Sequence, residues 1–281
     1  MTGLSAFRIP VGRWSEEAVN FLLDRYDGAF HHVSSGLYIV ISALQHGLAA
    51  VPVPVAILVL ALLTWWSAGT RAGIFALAGL ALIANMGLWG PTMVTLALVL
   101  CAELIVFAIG FPLGILSAVS RRAERTLRPL LDLMQTMPAF VYLIPAVMLF
   151  GLGLVPGVIA TFIFAIPPLI RLTSLGIRQV PHDLIEAAEA FGATPAQTLW
   201  KVRIPMAMPT ILAGLNQSIM LALSMVVIAA MIGAGGLGKN VLEGITRLEI
   251  GAGFEAGLAV VIVAIVLDRI TQGLGHGKRR R

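Results

Sequence analysis

Charged side chains are scarce in this sequence: Asp, Glu, Lys and Arg make up 12% of its 281 residues, against about 25% in an ordinary soluble domain. So few charges could not cover the surface of a soluble fold of this length, and 58% of the residues are hydrophobic, with a mean hydropathy of +0.94. Cysteine is nearly absent. The single Cys101 can form no internal disulfide, which excludes a disulfide-built secreted scaffold. The five histidines are scattered without an H-x-x-x-H pair, so no metal site is expected. No G-x-S-x-G elbow is present either, and no catalytic residue is assigned. Collagen and disorder are excluded by the lack of a glycine period and by the apolar content. The first 30 residues lack the apolar core of a cleaved signal, their longest apolar run being Phe21-Leu22-Leu23, so the amino terminus is read as retained. What is left is an integral membrane protein. Its net charge of +5 is then a matter of placement relative to the membrane and calls for no nucleic-acid partner.

A helix crossing the bilayer needs about 20 mostly apolar residues. Dividing the long uncharged stretches at glycine, proline and aromatic breaks predicts an all-α polytopic protein of about seven transmembrane helices. They fall near 53–69, 72–89, 92–118, 138–152, 154–174, 206–232 and 254–272, with Glu255 and Asp268 at the edges of the last. The stretch 33–51 is interrupted by Gln45 and His46 and is barely long enough, so it is read as interfacial rather than as an eighth span. Before it, Val19, Leu22, Leu23, Tyr26 and Phe30 repeat at helical spacing while Glu16, Glu17, Asn20, Asp24 and Asp27 take other positions. That pattern suits a helix lying along the membrane surface. The chain thus divides into an interfacial amino-terminal arm at 1–51, a transmembrane domain at 52–275 with a cytoplasmic loop at 181–205, and a basic tail at 276–281.

Seven spans place 70–71, 119–132, 171–205 and the tail on one side. That side holds 14 of the 19 basic residues, so the positive-inside tendency makes the carboxyl end cytoplasmic and the amino end external. The loop Gly233-Ala-Gly235-Gly236-Leu-Gly238-Lys239-Asn240 fits GxGxxG, but a phosphate cradle needs a strand before it and a helix after it. A membrane span precedes it here, so it is read as a tight, close-packed turn.

The informative cytoplasmic stretch is Pro181 to Pro205. Asp183-Leu-Ile-Glu186 reads as a helix start, with Asp183 as cap and Glu186 reaching back. Gly192 closes that helix in a left-handed conformation. Thr194-Pro195-Ala-Gln197 starts a second helix, threonine as cap and proline at its first position, and Pro205 ends it and opens the next span. The result is two short helices about a glycine corner, a rigid elbow.

Glu186-Ala187-Ala188, Gly192 and then Val202-Arg203-Ile204-Pro205 resemble the "EAA" loop of permease subunits of ATP-binding-cassette importers. Over roughly residues 50 to 275 the chain looks like the branch importing glycine betaine, proline betaine and choline. Asp132 to Pro145, Phe164 to Arg171, Gly176 to Pro181, Ile232 to Gly238 and Leu267 to Gln272 carry that likeness. The resemblance implies the MetI-like permease fold in a bacterial inner membrane, and a permease subunit rather than an enzyme. It implies that Glu186, Ala187, Ala188, Gly192, Ala193, Thr194, Pro195 and Pro205 meet a separate ATPase. It further implies a homodimer of two permease copies in membrane lipid, an extracytoplasmic substrate-binding protein, and no cofactor on this chain, ATP and magnesium residing on the ATPase.

Glu103 is the one ionisable residue deep in an expected span. Such residues face a partner or a watery cavity, so Glu103 is either a carboxylate along the path of a cationic ammonium compound or a hydrogen-bonded packing residue, and packing is the commoner case. Trp89, Phe140, Tyr142 and Trp200 could in principle cage a quaternary ammonium group, but aromatics in spans are usually packing or anchoring residues. Competing functions are import of another small solute such as an amino acid, and an ion-coupled secondary transporter. One buried acid and no evident internal repeat weigh against the latter.

Overall fold

The structure, a computed structural model, describes residues 10–276. Expectations for 1–9 and for the basic residues from Lys278 onward lie outside them. The described residues form twelve α-helices and no strand, as the apolar runs predict.

Helix α1, Val11–Ala50, is one 40-residue helix kinked at Tyr26, whose φ of −126° leaves the helical region. The run 33–51 is thus almost wholly the second part of α1. Helices α2 (Val53–Ala68) and α3 (Thr70–Asn85) form a hairpin turned at Gly69, whose φ is +88°. Helix α4 spans Trp89–Val119. The stretch 119–132, between two expected spans, is mostly helix α5, Arg121–Thr136. Ser120 caps it by accepting from the Ala123 N–H at 3.3 Å, and its half-buried Leu127 and Met134 flank the buried Leu131 on one face. After a 3₁₀ turn at Ala139–Tyr142 comes α6, Leu143–Phe150, with a bend of 112° between α5 and this segment. Pro138 at the bend cannot continue the helix.

Helix α7 spans Leu154–Arg178, α8 His182–Ala190 and α9 Pro195–Thr198. A π turn at Leu199–Arg203 joins α9 to α10, Ile204–Ala229. Helices α11 (Gly236–Thr246) and α12 (Ile250–His276) complete the chain.

Five described segments are long and apolar enough to cross a membrane: Gly12–Ala50, α4, α7, the run Pro195–Ile232, and α12; the bent α5–α6 pair makes a sixth if it is one broken span. The expected seven is therefore approached rather than reached. α2 and α3 have 16 residues each, about 24 Å of helix against a hydrocarbon core of about 30 Å.

α7 sits at the centre, packed between α4 and α10. Small residues allow the close approach: a Cβ on Gly214 of α10 would lie 2.9 Å from the Leu172 Cβ of α7. Polar side chains tie the remaining helices. Asn216 Nδ2 donates to Asp268 Oδ1 at 2.7 Å, and the Thr271 hydroxyl donates to Asn216 Oδ1 at 2.8 Å, joining α10 to α12.

The glycine loop is the close-packed turn its composition predicts. Gly233, Gly235 and Gly236 all have positive φ. Helix α11 follows it, but α10 and a 3₁₀ turn precede it, and the Leu237 N–H at its start donates to Thr95 Oγ1 at 2.8 Å. Thr95 of α4 thus occupies the place a phosphate would take.

Candidate functional site: the cytoplasmic elbow

The elbow is built from local backbone chemistry. Pro181, with φ −53° and ψ 136°, sets α8 going at His182, and no side chain caps it. The expected capping box of Asp183 and Glu186 does not form. Because the helix begins before it, Asp183 is already inside the first turn, where its charge favours the helix dipole. Glu186 meets His182 Nδ1 at 2.9 Å instead, one turn apart on an exposed face.

At the corner Gly192 has φ +82°. Its N–H donates to the Glu189 carbonyl at 2.9 Å, and the Ala193 N–H donates to the Ala188 carbonyl at 3.0 Å, closing α8 in the left-handed manner expected of glycine. Thr194 then opens α9. Its Oγ1 accepts from the Gln197 N–H at 3.3 Å and the Gln197 Oε1 accepts from the Thr194 N–H at 2.9 Å, with Pro195 in the first turn. This is the full reciprocal capping box.

Pro205 does not end the second helix. A proline lacks the N–H for the bond one turn back, and its ring crowds the carbonyl there. The π turn just before it widens the backbone, with the Ile204 N–H reaching the Leu199 carbonyl five residues back, so the helix passes through Pro205 unbroken.

Six of the eight expected docking residues are exposed, Glu186, Ala187, Gly192, Thr194, Pro195 and Pro205, while Ala188 and Ala193 are half-buried. The corner gathers all of them except Pro205, which lies beyond the π turn. Ile185 is buried and anchors α8 to the body of the molecule. Sequence reasoning overlooked Phe191, which is 93% exposed at the tip of the corner. The readable signal was an aromatic residue directly before a helix-ending glycine on a charged, surface segment.

Glu103 lies elsewhere, buried where α4, α7 and α10 meet, with Oε1 3.0 Å from Ser218 Oγ and Oε2 without a partner in the protein. The four aromatics do not gather into a cage. Tyr142 is buried and its ring packs edge-on against Phe164 at 5.8 Å, while Phe140 and Trp200 are exposed and Trp89 is half-buried. Among the described residues there is no group of His, Cys, Asp and Glu able to hold a metal. Segments far apart in the chain that carry the family likeness do meet: Arg171 pairs with Asp132.

Residues 110–280 match the family model of the binding-protein-dependent transport system inner membrane component. The chain is 53% identical over 273 residues to the glycine betaine/proline betaine transport system permease protein ProW of Escherichia coli (strain K12), covering 97% of this chain and 77% of that protein. It is 50% identical over 274 residues to the glycine betaine transport system permease protein OpuAB of Bacillus subtilis (strain 168), covering 98% and 97%. Over 268 residues it is 51% identical to the glycine betaine/carnitine transport permease protein GbuB of Listeria monocytogenes (serotype 1/2a, strain 10403S), covering 94% and 95%. Among solved structures, the inward-facing methionine ABC transporter MetNI shares the fold, with a TM-score of 0.55 and 24% identity over 66% of this chain and 90% of that one. The chain belongs to the family of binding-protein-dependent transport system inner membrane components: it is a multi-pass inner-membrane permease subunit of an ATP-binding-cassette importer, working with a separate ATPase and a substrate-binding protein rather than as an enzyme.

Proposed function

We propose that this permease imports quaternary ammonium compounds of the betaine class, glycine betaine foremost, with proline betaine and choline as neighbouring substrates. The observation that supports this is a near full-length likeness, at 50% identity or above, to permeases named for glycine betaine transport. In this reading two copies of the chain pair as a homodimer around the path. ATP and magnesium are bound by the ATPase subunits, and this chain holds no cofactor.

Coupling is assigned to Glu186, Ala187, Ala188, Gly192, Ala193, Thr194, Pro195 and Pro205, the elbow pressing into the ATPase and tilting the helices behind it. Two packings of those helices, biased by ATP at a distance, would alternate access to the path. The carboxyl end and the elbow lie in the cytoplasm, following the arginines, and with seven spans the amino end lies outside. Glu103 is assigned to helix packing rather than to the path, because its one contact is with Ser218 inside the helix core.

The test is affinity purification of the tagged protein in mild detergent from its native cells, with mass spectrometry of what accompanies it. Recovery of an ATP-binding-cassette subunit, lost when the elbow is altered, is the expected result. The accompanying binding protein is then titrated with glycine betaine, choline and an amino acid. Selective binding of the amino acid would overturn the substrate assignment.

A further inference from the structure

Ser117 lies near the end of α4 and Arg178 is the last residue of α7. Arg178 Nη2 donates to the Ser117 carbonyl, so both helix ends stand at one level, and α5 starts beside them. Between the three helices opens a cleft of about 420 Å³ whose wall carries Arg128, Arg171, Arg178 and Glu124.

Two of these guanidinium groups are engaged. Arg178 Nη1 lies 2.6 Å from Glu124 Oε1, and Arg171 is paired with Asp132. Arg128 has no ion-pair partner among the described residues. Three arginines against two carboxylates leave one positive charge at the cleft; Arg128 stands within electrostatic reach of Glu124, one turn earlier on α5, but its guanidinium meets no carboxylate within 4.0 Å and is open to a ligand. Ser117 and Ser174 line the same cleft, and their hydroxyls donate to no acceptor among the described residues. The rest of the wall is apolar: Leu131, Ile170, Leu172 and Leu175 line the cleft, Leu175 is 44% exposed, and Leu116 and Val119 in the last turn of α4 are exposed.

We propose that this cleft binds the headgroup of an anionic phospholipid, its phosphate on Arg128 and its acyl chains along the exposed apolar side chains of α4 and α7. A single net positive charge matches a headgroup carrying one negative charge. Guanidinium meets phosphate through paired, charge-assisted hydrogen bonds, and basic pockets between membrane helices at headgroup depth are suited to such lipids. The apolar wall favours a lipid over a free phosphate, which would gain nothing from it. The proposal rests on the chain crossing a membrane, not on what it transports.

The test uses the full-length permease purified with its ATPase, titrated in detergent with phosphatidylglycerol and read by native mass spectrometry. Phosphatidylcholine and glycerol 1-phosphate are separate probes. Arg128→Gln should weaken phosphatidylglycerol binding roughly tenfold, and Arg128→Lys should recover part of it. Arg125→Gln removes the same charge from α5 outside the cleft and should leave binding unchanged. Equal losses in the Arg128→Gln and Arg125→Gln proteins would reduce the effect to general surface attraction and overturn the site. Equal binding of phosphatidylcholine, or equally tight binding of glycerol 1-phosphate, would overturn the anionic-lipid assignment. Absence of phosphatidylglycerol from the intact complex would mean that another subunit covers the cleft, which also overturns it. Thermal unfolding without lipid reports whether Arg128→Gln folds; if it does not, Ser174→Ala, expected to weaken binding severalfold, carries the test.

Discussion

The hydroxyl of Ser218 on α10 lies 3.0 Å from Glu103 Oε1 on α4, and 2.8 Å from the Ala165 carbonyl on α7, so one small side chain joins the three central helices. A hydroxyl has one proton to donate. Both contacts are hydrogen bonds at once only when the Glu103 carboxyl carries a proton and donates to Ser218 Oγ while Ser218 donates to Ala165.

Glu103→Gln supplies an N–H donor in the same place, so this variant should express stably and transport normally. Ser218→Ala strands the buried carboxyl and should lower stability by about 1–2 kcal/mol, within the range of interhelical hydrogen bonds in membranes. Thermal unfolding in detergent and uptake in vesicles measure the two effects. Lost uptake by a stably folded Glu103→Gln protein would return the carboxylate to the translocation path.

Thr194→Ala removes a cap and should cost the elbow about 1 kcal/mol. Amide exchange over 196–198 should quicken while the rest of the molecule is unchanged, and Thr194→Ser should restore it. Equal protection in the alanine variant would show that the π turn alone holds α9.

Gly192 separates conformation from contact. Its φ is +82° and a Cβ there would meet nothing within 4 Å, so in the permease alone a larger residue costs only backbone strain, about 1–2 kcal/mol. Gly192→Val should loosen the corner and Gly192→Asn much less, since asparagine tolerates this conformation. ATPase binding should follow the same order. If Gly192→Asn keeps the corner yet loses the ATPase, the partner's surface approaches within a side chain's width.

Phe191→Ala should leave the unfolding temperature of the permease unchanged, because the ring is 93% exposed. A central aromatic anchor typically contributes about 2 kcal/mol or more to an interface, so ATPase affinity should fall roughly thirtyfold. Unchanged affinity would place Phe191 outside the docking face.

The long spans and the elbow were legible because their signals are local: apolar runs with few charges over α4, α7 and α10, and Gly192 followed by Thr194-Pro195. Helix α5 is hidden among charged residues: its signal is Leu127, Leu131 and Met134 recurring on one face among arginines, not an uncharged stretch. Asp183 and Thr194 both head a capping-box pattern, but only Thr194 is preceded by a glycine that ends a helix; before Asp183, Pro181 starts the helix early. The passage through Pro205 depends on a π turn, which leaves no compositional mark. The partner of Glu103 is 115 residues away in the chain, and the pairings that expose Arg128 likewise join helices that only the fold brings together.

That Pro205 leaves no break has a mechanical consequence. From Pro195 to Ile232 the chain is one rod of 38 residues, about 57 Å long at the helical rise. Thr194 stands at one end and Ser218 past its middle. If the corner is where the ATPase docks, pressure on it would reach the helix core through one continuous helix rather than through a loose joint, and the wide turn at Leu199–Arg203 and Pro209 inside α10 are where that helix can give.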